Sequence, residues 1–314
     1  MTTYRNTGLG LLCGIGAGAC WGFVFLAPEL ATGYSPLQLA VGRYLAYGLF
    51  AVALIAPQWR QLRAQLRWRD WRTLLWLSAV GNVLYYILLA QAVRSGGVAM
   101  TSLVIGFLPV VVTLVGSRGR DAVPLRKLMP SLLLGGAGIL CIAWQSLGSA
   151  AGSDGAGAIF GLLCAVGALI SWTTYAVGNS HALQRLHTIS SHQWNLLTGL
   201  ITGGMALLLA IPAFAWNSNT GPSISWLHFA GIAAGVALVA SIIGNAFWNR
   251  ASRLLPLTMI GQMILFETLF ALCYGLLWEA RWPTLLESIS LVLVAASVLS
   301  CVAVHRMPAS QADN

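Results

Sequence analysis

"GLLCGIGAGACW" occupies residues 10–21, and "GLLCAVGALISW" occupies residues 161–172. Seven of the twelve positions are identical: the opening Gly-Leu-Leu-Cys, the central Gly-Ala pair and the closing Trp. The same apolar string therefore recurs 151 residues on, which points to two related units in one chain.

The surrounding composition says what kind of units these are. Of 314 residues, 58% are hydrophobic and 8% charged. A soluble domain carries roughly a quarter charged residues. Apolar runs long enough to cross a hydrocarbon core about 30 Å thick recur along the whole length. These features predict an all-α polytopic membrane protein. The first run follows Arg5 and resembles a signal peptide in outline, but its copy lies mid-chain, so residues 8–29 are read as a retained span.

Charges, prolines and Gly-Ser clusters divide the chain into ten expected spans: 8–29, 36–57, 72–93, 97–117, 127–146, 157–178, 191–213, 227–249, 256–278 and 283–305. The shortest connections are "RSGGVA" (94–99) and "RASRLLP" (250–256). With both termini in the cytoplasm, 14 Lys and Arg residues fall inside; only Arg94 and Arg281 fall outside, and Arg43 lies within a span. The net charge of +9 is thus read as a positive-inside signal that sets orientation, with no nucleic-acid partner implied.

"LGSAAGSDGAG" (147–157) splits the spans five and five. The expected organisation is a first five-helix repeat (1–148), a linker (149–156), a second repeat (157–306) and a cytoplasmic tail (307–314). Further blocks match in order. "SPLQ" (35–38) pairs with "SSHQ" (190–193), and "AVRSGGVAMTSLVIGF" (92–107) pairs with "ASRLLPLTMIGQMILF" (251–266). Five is odd, so the second unit is expected upside down relative to the first. That arrangement places a substrate site near the midplane between the halves.

Several polar and aromatic residues fall deep in these spans. Trp21 and Trp172 close the two copies of the opening motif, about a dozen residues into their helices. They are read either as aromatic walls of a central cavity or as symmetric packing. Asn82, Tyr85 and Tyr86 sit mid-span 3. Asn245, the counterpart of Tyr86, lies in span 8 with Trp248 close behind, and Tyr175 follows Trp172 by one turn. Polar groups at this depth face a bundle interior or a wet cavity; plain interhelical hydrogen bonding is the alternative.

Arg43 and Glu267 are ionisable residues within spans, where an unpaired charge costs about 2.5–3.5 kcal/mol or more. Their repeat-mates, Thr198 and Leu108, are neutral. Three readings stand: structural pairing, a clamp for a zwitterion's carboxylate and ammonium, or proton binding at Glu267. The glycine clusters and the prolines at 28, 57, 109 and 212 are read as close-packing and helix-ending devices.

Six cysteines lie in apolar runs without metal-ligand spacing. No phosphate-binding GxxxxGK[ST] stretch, HExxH or GxSxG is present, so neither direct ATP drive nor intramembrane hydrolysis is expected. No enzyme activity, cofactor or metal is implied.

The ten spans, the G-x-x-x-x-x-G-A-x-x-x-W motif of spans 1 and 6, Arg43 in span 2 and Pro109 in span 4 resemble the EamA-type branch of the drug/metabolite transporter superfamily. Within it the chain looks most like bacterial aromatic amino-acid exporters. The resemblance implies an inner-membrane carrier working by alternating access. One departure is Glu267-Thr268, where many relatives carry Glu-Pro. The expected partners are a small amphipathic metabolite and the bilayer, with a monomer as the simplest unit. The rivals are a lipophilic-cation exporter or, in another class, a membrane receptor or lipid-modifying enzyme.

Overall fold

The computed structural model describes residues 2–31, 33–118, 123–147, 155–215 and 225–306, and among these every regular element is helical. Helix α1 (Thr2–Gly22) continues through a 3₁₀ turn (Phe23–Leu26) into α2 (Ala27–Leu30). Then come α3 (Pro36–Ile55), α4 (Trp59–Gln65) and α5 (Trp68–Ser78). A π-helical segment (Ala79–Leu84) joins α5 to α6 (Tyr85–Gly106), followed by α7 (Leu108–Gly116), α8 (Leu125–Leu147), α9 (Gly155–Arg185) and α10 (Ser191–Ala215). Next is α11 (Trp226–Val236), with a second π-helical segment (Ala237–Gly244) leading into α12 (Asn245–Leu254). The last three are α13 (Leu257–Met263), α14 (Leu265–Trp278) and α15 (Leu285–Arg306).

Among the described residues, seven helical stretches are long and apolar enough to span a membrane, and Thr7–Gly22 and Val104–Gly116 are shorter apolar helices. The expected linker lies almost wholly outside the described residues, as does Trp216.

The matched "SPLQ" and "SSHQ" blocks are the same device. Ser35 N–H donates to Gln38 Oε1 at 2.8 Å, and Gln38 N–H donates back to Ser35 Oγ at 3.3 Å. Ser190 and Gln193 repeat the reciprocal pair at 2.9 and 3.0 Å. Each is a capping box that satisfies orphan N–H groups where a helix starts. It opens α3 in one half and α10 in the other.

The helix pairings are related by exchange of the halves. α3 packs on α10, α7 on α13 and α8 on α15; α6 packs on α9 as α1 packs on α12. The counterpart helices run antiparallel: Gly48 of α3 meets Gly203 of α10, while Ala51 meets Gly199. A Cβ on Gly48 would stand 2.7 Å from the Gly203 Cα, so this crossing needs glycine on both sides.

One expected boundary carries no break in the helical ladder. Helical structure does not stop at 94–99; α6 runs to Gly106 and the interruption falls at Phe107. Pro109 has no N–H for the carbonyl four residues back, whereas a glycine weakens a helix by only about 1 kcal/mol. The chain nevertheless doubles back. A straight helix would carry Val104 about 18 Å beyond Ala92, yet both belong to one apolar cluster with Cys164 and Ala165 of α9. The "RASRLLP" boundary holds, with Leu255 and Pro256 extended between α12 and α13. Pro212 lies inside the last turn of α10 rather than beyond it.

The core is two apolar bodies. One gathers Trp21, Trp248 and α13 to α15; the other gathers Tyr47, Tyr175 and Trp194. Trp172 packs against both, so the closing residue of the second motif sits on the seam.

Candidate functional site

The seam is built around three tryptophans. Trp21 ends α1, Trp172 projects from α9 and Trp248 from α12. The Trp21 ring lies 6.3 Å from Trp172 in an edge-on arrangement and 5.0 Å from Trp248, and Trp172 and Trp248 are 5.8 Å apart. Trp21 donates its indole N–H to Asn245 Oδ1 at 3.0 Å and to the Ala240 carbonyl at 3.2 Å. Trp248 is 1% exposed, and its indole N–H has no acceptor among the described residues.

The two π-helical segments explain why polar side chains gather here. A π-turn interrupts the i→i−4 ladder and is often found at functional sites. The segments occupy corresponding places, Ala79–Leu84 before Tyr85 and Ala237–Gly244 before Asn245. Donors from neighbouring helices reach their carbonyls. Ser171 Oγ bonds the Val80 carbonyl at 2.7 Å. Asn195 Nδ2 bonds the Ser241 and Ile242 carbonyls at 3.1 and 2.9 Å. Asn195 is held in turn by the Tyr47 hydroxyl, which donates to Asn195 Oδ1 at 2.6 Å.

Arg43 reaches the second segment. Its Nε donates to Ser241 Oγ at 2.9 Å, and its guanidinium carbon lies 5.6 Å from the Tyr44 ring centre. Neither Nη group has a hydrogen-bond partner among the described residues. Arg43 lines a cavity of about 50 Å³ with Tyr44, Tyr86, Val24, Ala40 and Ile232. Tyr44 and Tyr86 meet edge-on at 6.4 Å. The lining comes from the turn and short helix that follow α1, the first half of α3, the start of α6 and the second half of α11.

The other expected site residues take varied places. Asn82 donates to Thr202 Oγ1 at 3.2 Å, joining the first π-segment to α10. Tyr175 is buried, 6.1 Å from Trp172, and Gly81 lies directly against its ring. Tyr85 and Glu267 stand within electrostatic reach of each other and of Arg43. Glu267 forms no ion pair with Arg43, and its carboxylate has no hydrogen-bond partner among the described residues. Its backbone lies in the first turn of α14, packed on Gly18 of α1. Trp21, Trp172, Trp248, Asn245 and Tyr175 therefore form one aromatic cluster, with Arg43, Tyr86, Tyr85 and Glu267 beside it.

Towards the termini a polar network joins α9, α10 and α12. Trp194 donates its indole N–H to Asn179 Oδ1 at 2.8 Å, and Asn179 Nδ2 donates to Asn249 Oδ1 at 2.9 Å. Ser191 Oγ adds a 3.4 Å bond to the Asn249 carbonyl. Arg253 bonds the Leu186 carbonyl at 2.9 Å and also that of Ile189. Asn179, Trp194, Asn195, Tyr47 and Ser241 were not singled out from the sequence. Asn195, an amide within the apolar run "WNLLTGL" (194–200), carried the signal that would have found it.

Comparisons with known proteins converge on one family. The chain matches the EamA-like transporter family twice, over residues 8–144 and 159–302. It is 31% identical over 304 residues to the inner membrane protein YtfF of Escherichia coli (strain K12), covering 93% of this chain and 94% of that protein. It is 25% identical to the uncharacterized transporter YvbV of Bacillus subtilis (strain 168), over 78% of this chain and 77% of that one. A solved crystal structure superposes with a TM-score of 0.72 at 17% identity, covering 95% of this chain and 99% of its own. The second family match begins 151 residues after the first, the same offset that separates the two Gly-Leu-Leu-Cys strings. With both halves matched, this chain belongs to the EamA-like transporter family.

Proposed function

We propose that the chain is a secondary transporter that exports small amphipathic metabolites, foremost aromatic or bulky apolar amino acids, by alternating access. In this reading ten spans form two inverted five-helix repeats (1–148 and 157–306) joined by residues 149–156. Residues 307–314 are a tail, and both termini are cytoplasmic in a bacterial inner membrane. The antiparallel packing of α3 on α10 supports the inversion.

The observation that carries the substrate class is Arg43. Its guanidinium is anchored through Nε and keeps both Nη groups for a ligand, in a cavity with two tyrosine rings and aliphatic walls. A planar guanidinium receives a carboxylate through paired hydrogen bonds. Tyrosine faces and aliphatic side chains receive a bulky apolar group. At about 50 Å³ the cavity is smaller than a ligand pocket of roughly 300–1,000 Å³. Loading therefore requires α3 and α11 to separate.

The test is counterflow in proteoliposomes with a panel of labelled amino acids. Phenylalanine, tyrosine and leucine are expected to exchange faster than glycine or aspartate. Arg43→Lys is expected to raise KM about tenfold, the loss of one charge-assisted bond worth about 1.5 kcal/mol. Equal exchange of all amino acids, or an unchanged KM in the variant, overturns the assignment. A second reading, export of lipophilic cations, is favoured by one observation: the Glu267 carboxylate lies unbonded near Tyr85. Protection of cells against quaternary ammonium dyes, lost in Glu267→Gln, with no amino-acid exchange, selects that reading.

A further inference from the structure

The stretch from Trp59 to Arg72 lies at the end of the bundle where the termini gather, outside the cavity and the tryptophan cluster. Its buried residues recur every four positions: Leu62 is 1% exposed, Leu66 8%, Asp70 4% and, beyond the stretch, Leu74 1%. The opposite face carries Arg60, Arg63, Arg67, Arg69 and Arg72, all exposed. Asp70 is the only acid in the stretch, and both of its oxygens are engaged. Oδ1 accepts from Arg185 Nη2 at 2.7 Å, and Oδ2 accepts from the Arg67 backbone N–H at 3.0 Å. Five guanidiniums therefore face outward with no carboxylate partner among the described residues.

Aromatic residues fix the depth of this face. Trp68 is 76% exposed beside Arg67 and Arg69, and Trp59 and Trp71 pack edge-on at 6.0 Å. Tryptophan settles at the headgroup level of a bilayer, so the arginines between these rings stand among lipid phosphates. Nucleic acid or a soluble anion would meet the arginines but leave Trp68 without an apolar contact. We propose that residues 59–72 form a binding site for anionic phospholipid, with the arginines receiving headgroup phosphates and Trp68 lying against the upper acyl chain. Arg69 and Arg72 are one turn apart on α5, and Arg60 and Arg63 one turn apart on α4, so each pair can clamp one phosphate.

The site is tested on the purified full-length chain in nanodiscs of phosphatidylglycerol and phosphatidylcholine in equal parts. After transfer to mild detergent, retained lipid is counted by native mass spectrometry. Phosphatidylglycerol is expected to stay bound in preference to phosphatidylcholine. Arg60→Gln, Arg63→Gln, Arg69→Gln and Arg72→Gln are each expected to weaken its retention about fivefold, following the usual effect of one basic residue at an anionic surface. Arg126→Gln and Lys127→Gln, at the start of α8, leave it unchanged. Phosphatidylglycerol also raises the thermal midpoint of the wild type more than that of the quadruple variant. Equal retention of the two lipids, full retention by the quadruple variant, or displacement of the lipid by inorganic phosphate overturns the proposal. The single variants alter exposed side chains only, and an unchanged midpoint in pure phosphatidylcholine verifies that they fold.

Discussion

The two π-helical segments occupy corresponding places in the two halves but are held differently. Among the described residues, Ala79–Leu84 receives one side-chain donor on its carbonyls, Ser171. Ala237–Gly244 receives Trp21 and Asn195, and its Ser241 hydroxyl also accepts from Arg43. The backbone irregularity is shared, while the groups that satisfy it are not. Duplication thus supplies a two-fold scaffold, and unshared side chains tie the second copy to α1, α3 and α10 and the first to α9 and α10.

This contrast can be broken most severely at Trp21. Trp21→Ala removes a buried indole and both of its acceptor bonds, and is expected to lower stability by about 3–5 kcal/mol in detergent melts. Trp172→Ala, which loses no hydrogen bond, is expected to cost less. Asn195→Ala comes next, at about 2 kcal/mol, because it strands two carbonyls, while the Tyr47 hydroxyl keeps its 2.7 Å bond to the residue-195 carbonyl. Asn82→Ala should cost about 0.6 kcal/mol, the average of an interhelical bond in a membrane. If Asn195→Ala and Asn82→Ala cost the same, the two segments are equally held and the contrast fails. Ser171→Ala is expected to cost the same, about 0.6 kcal/mol. Its effect is sharpened by hydrogen exchange: amides of residues 79–84 should exchange faster than those of 237–244 in the wild type. Ser171→Ala should widen that gap.

Much of this architecture was legible because duplication writes the same solution twice. The S-x-x-Q blocks were visible as repeats, and their chemistry is a capping box in each half. The two tryptophans were visible as motif ends. Their convergence on Trp248 depends on tertiary packing that no periodicity encodes. The π-segments left no mark in the sequence, since "AVGNVL" and "ALVASIIG" read as ordinary apolar helix. The side chains that meet their carbonyls, Ser171 on the first and Asn195 and Trp21 on the second, lie far away in the chain. Arg43 and Glu267 were conspicuous as intramembrane charges, but their mutual placement was not. Arg43 has an uncharged partner in Ser241, and the carboxylate stands apart. At 94–99 the two glycines leave the helical ladder unbroken, and the ladder is interrupted at Phe107, two residues before Pro109.

The meeting of Gly48 and Gly203 has a mechanical consequence. At this point the two helices touch backbone to backbone, and one turn away Tyr47 and Ala51 pack on Gly199. A rotation of about 10° there would sweep points ten residues away, some 15 Å along each helix, through about 2–3 Å. That is the width of a water molecule, gained at one membrane face and surrendered at the other. The smallest side chains in the protein would then act as a fulcrum, and their substitution would stiffen the bundle without touching the site it serves.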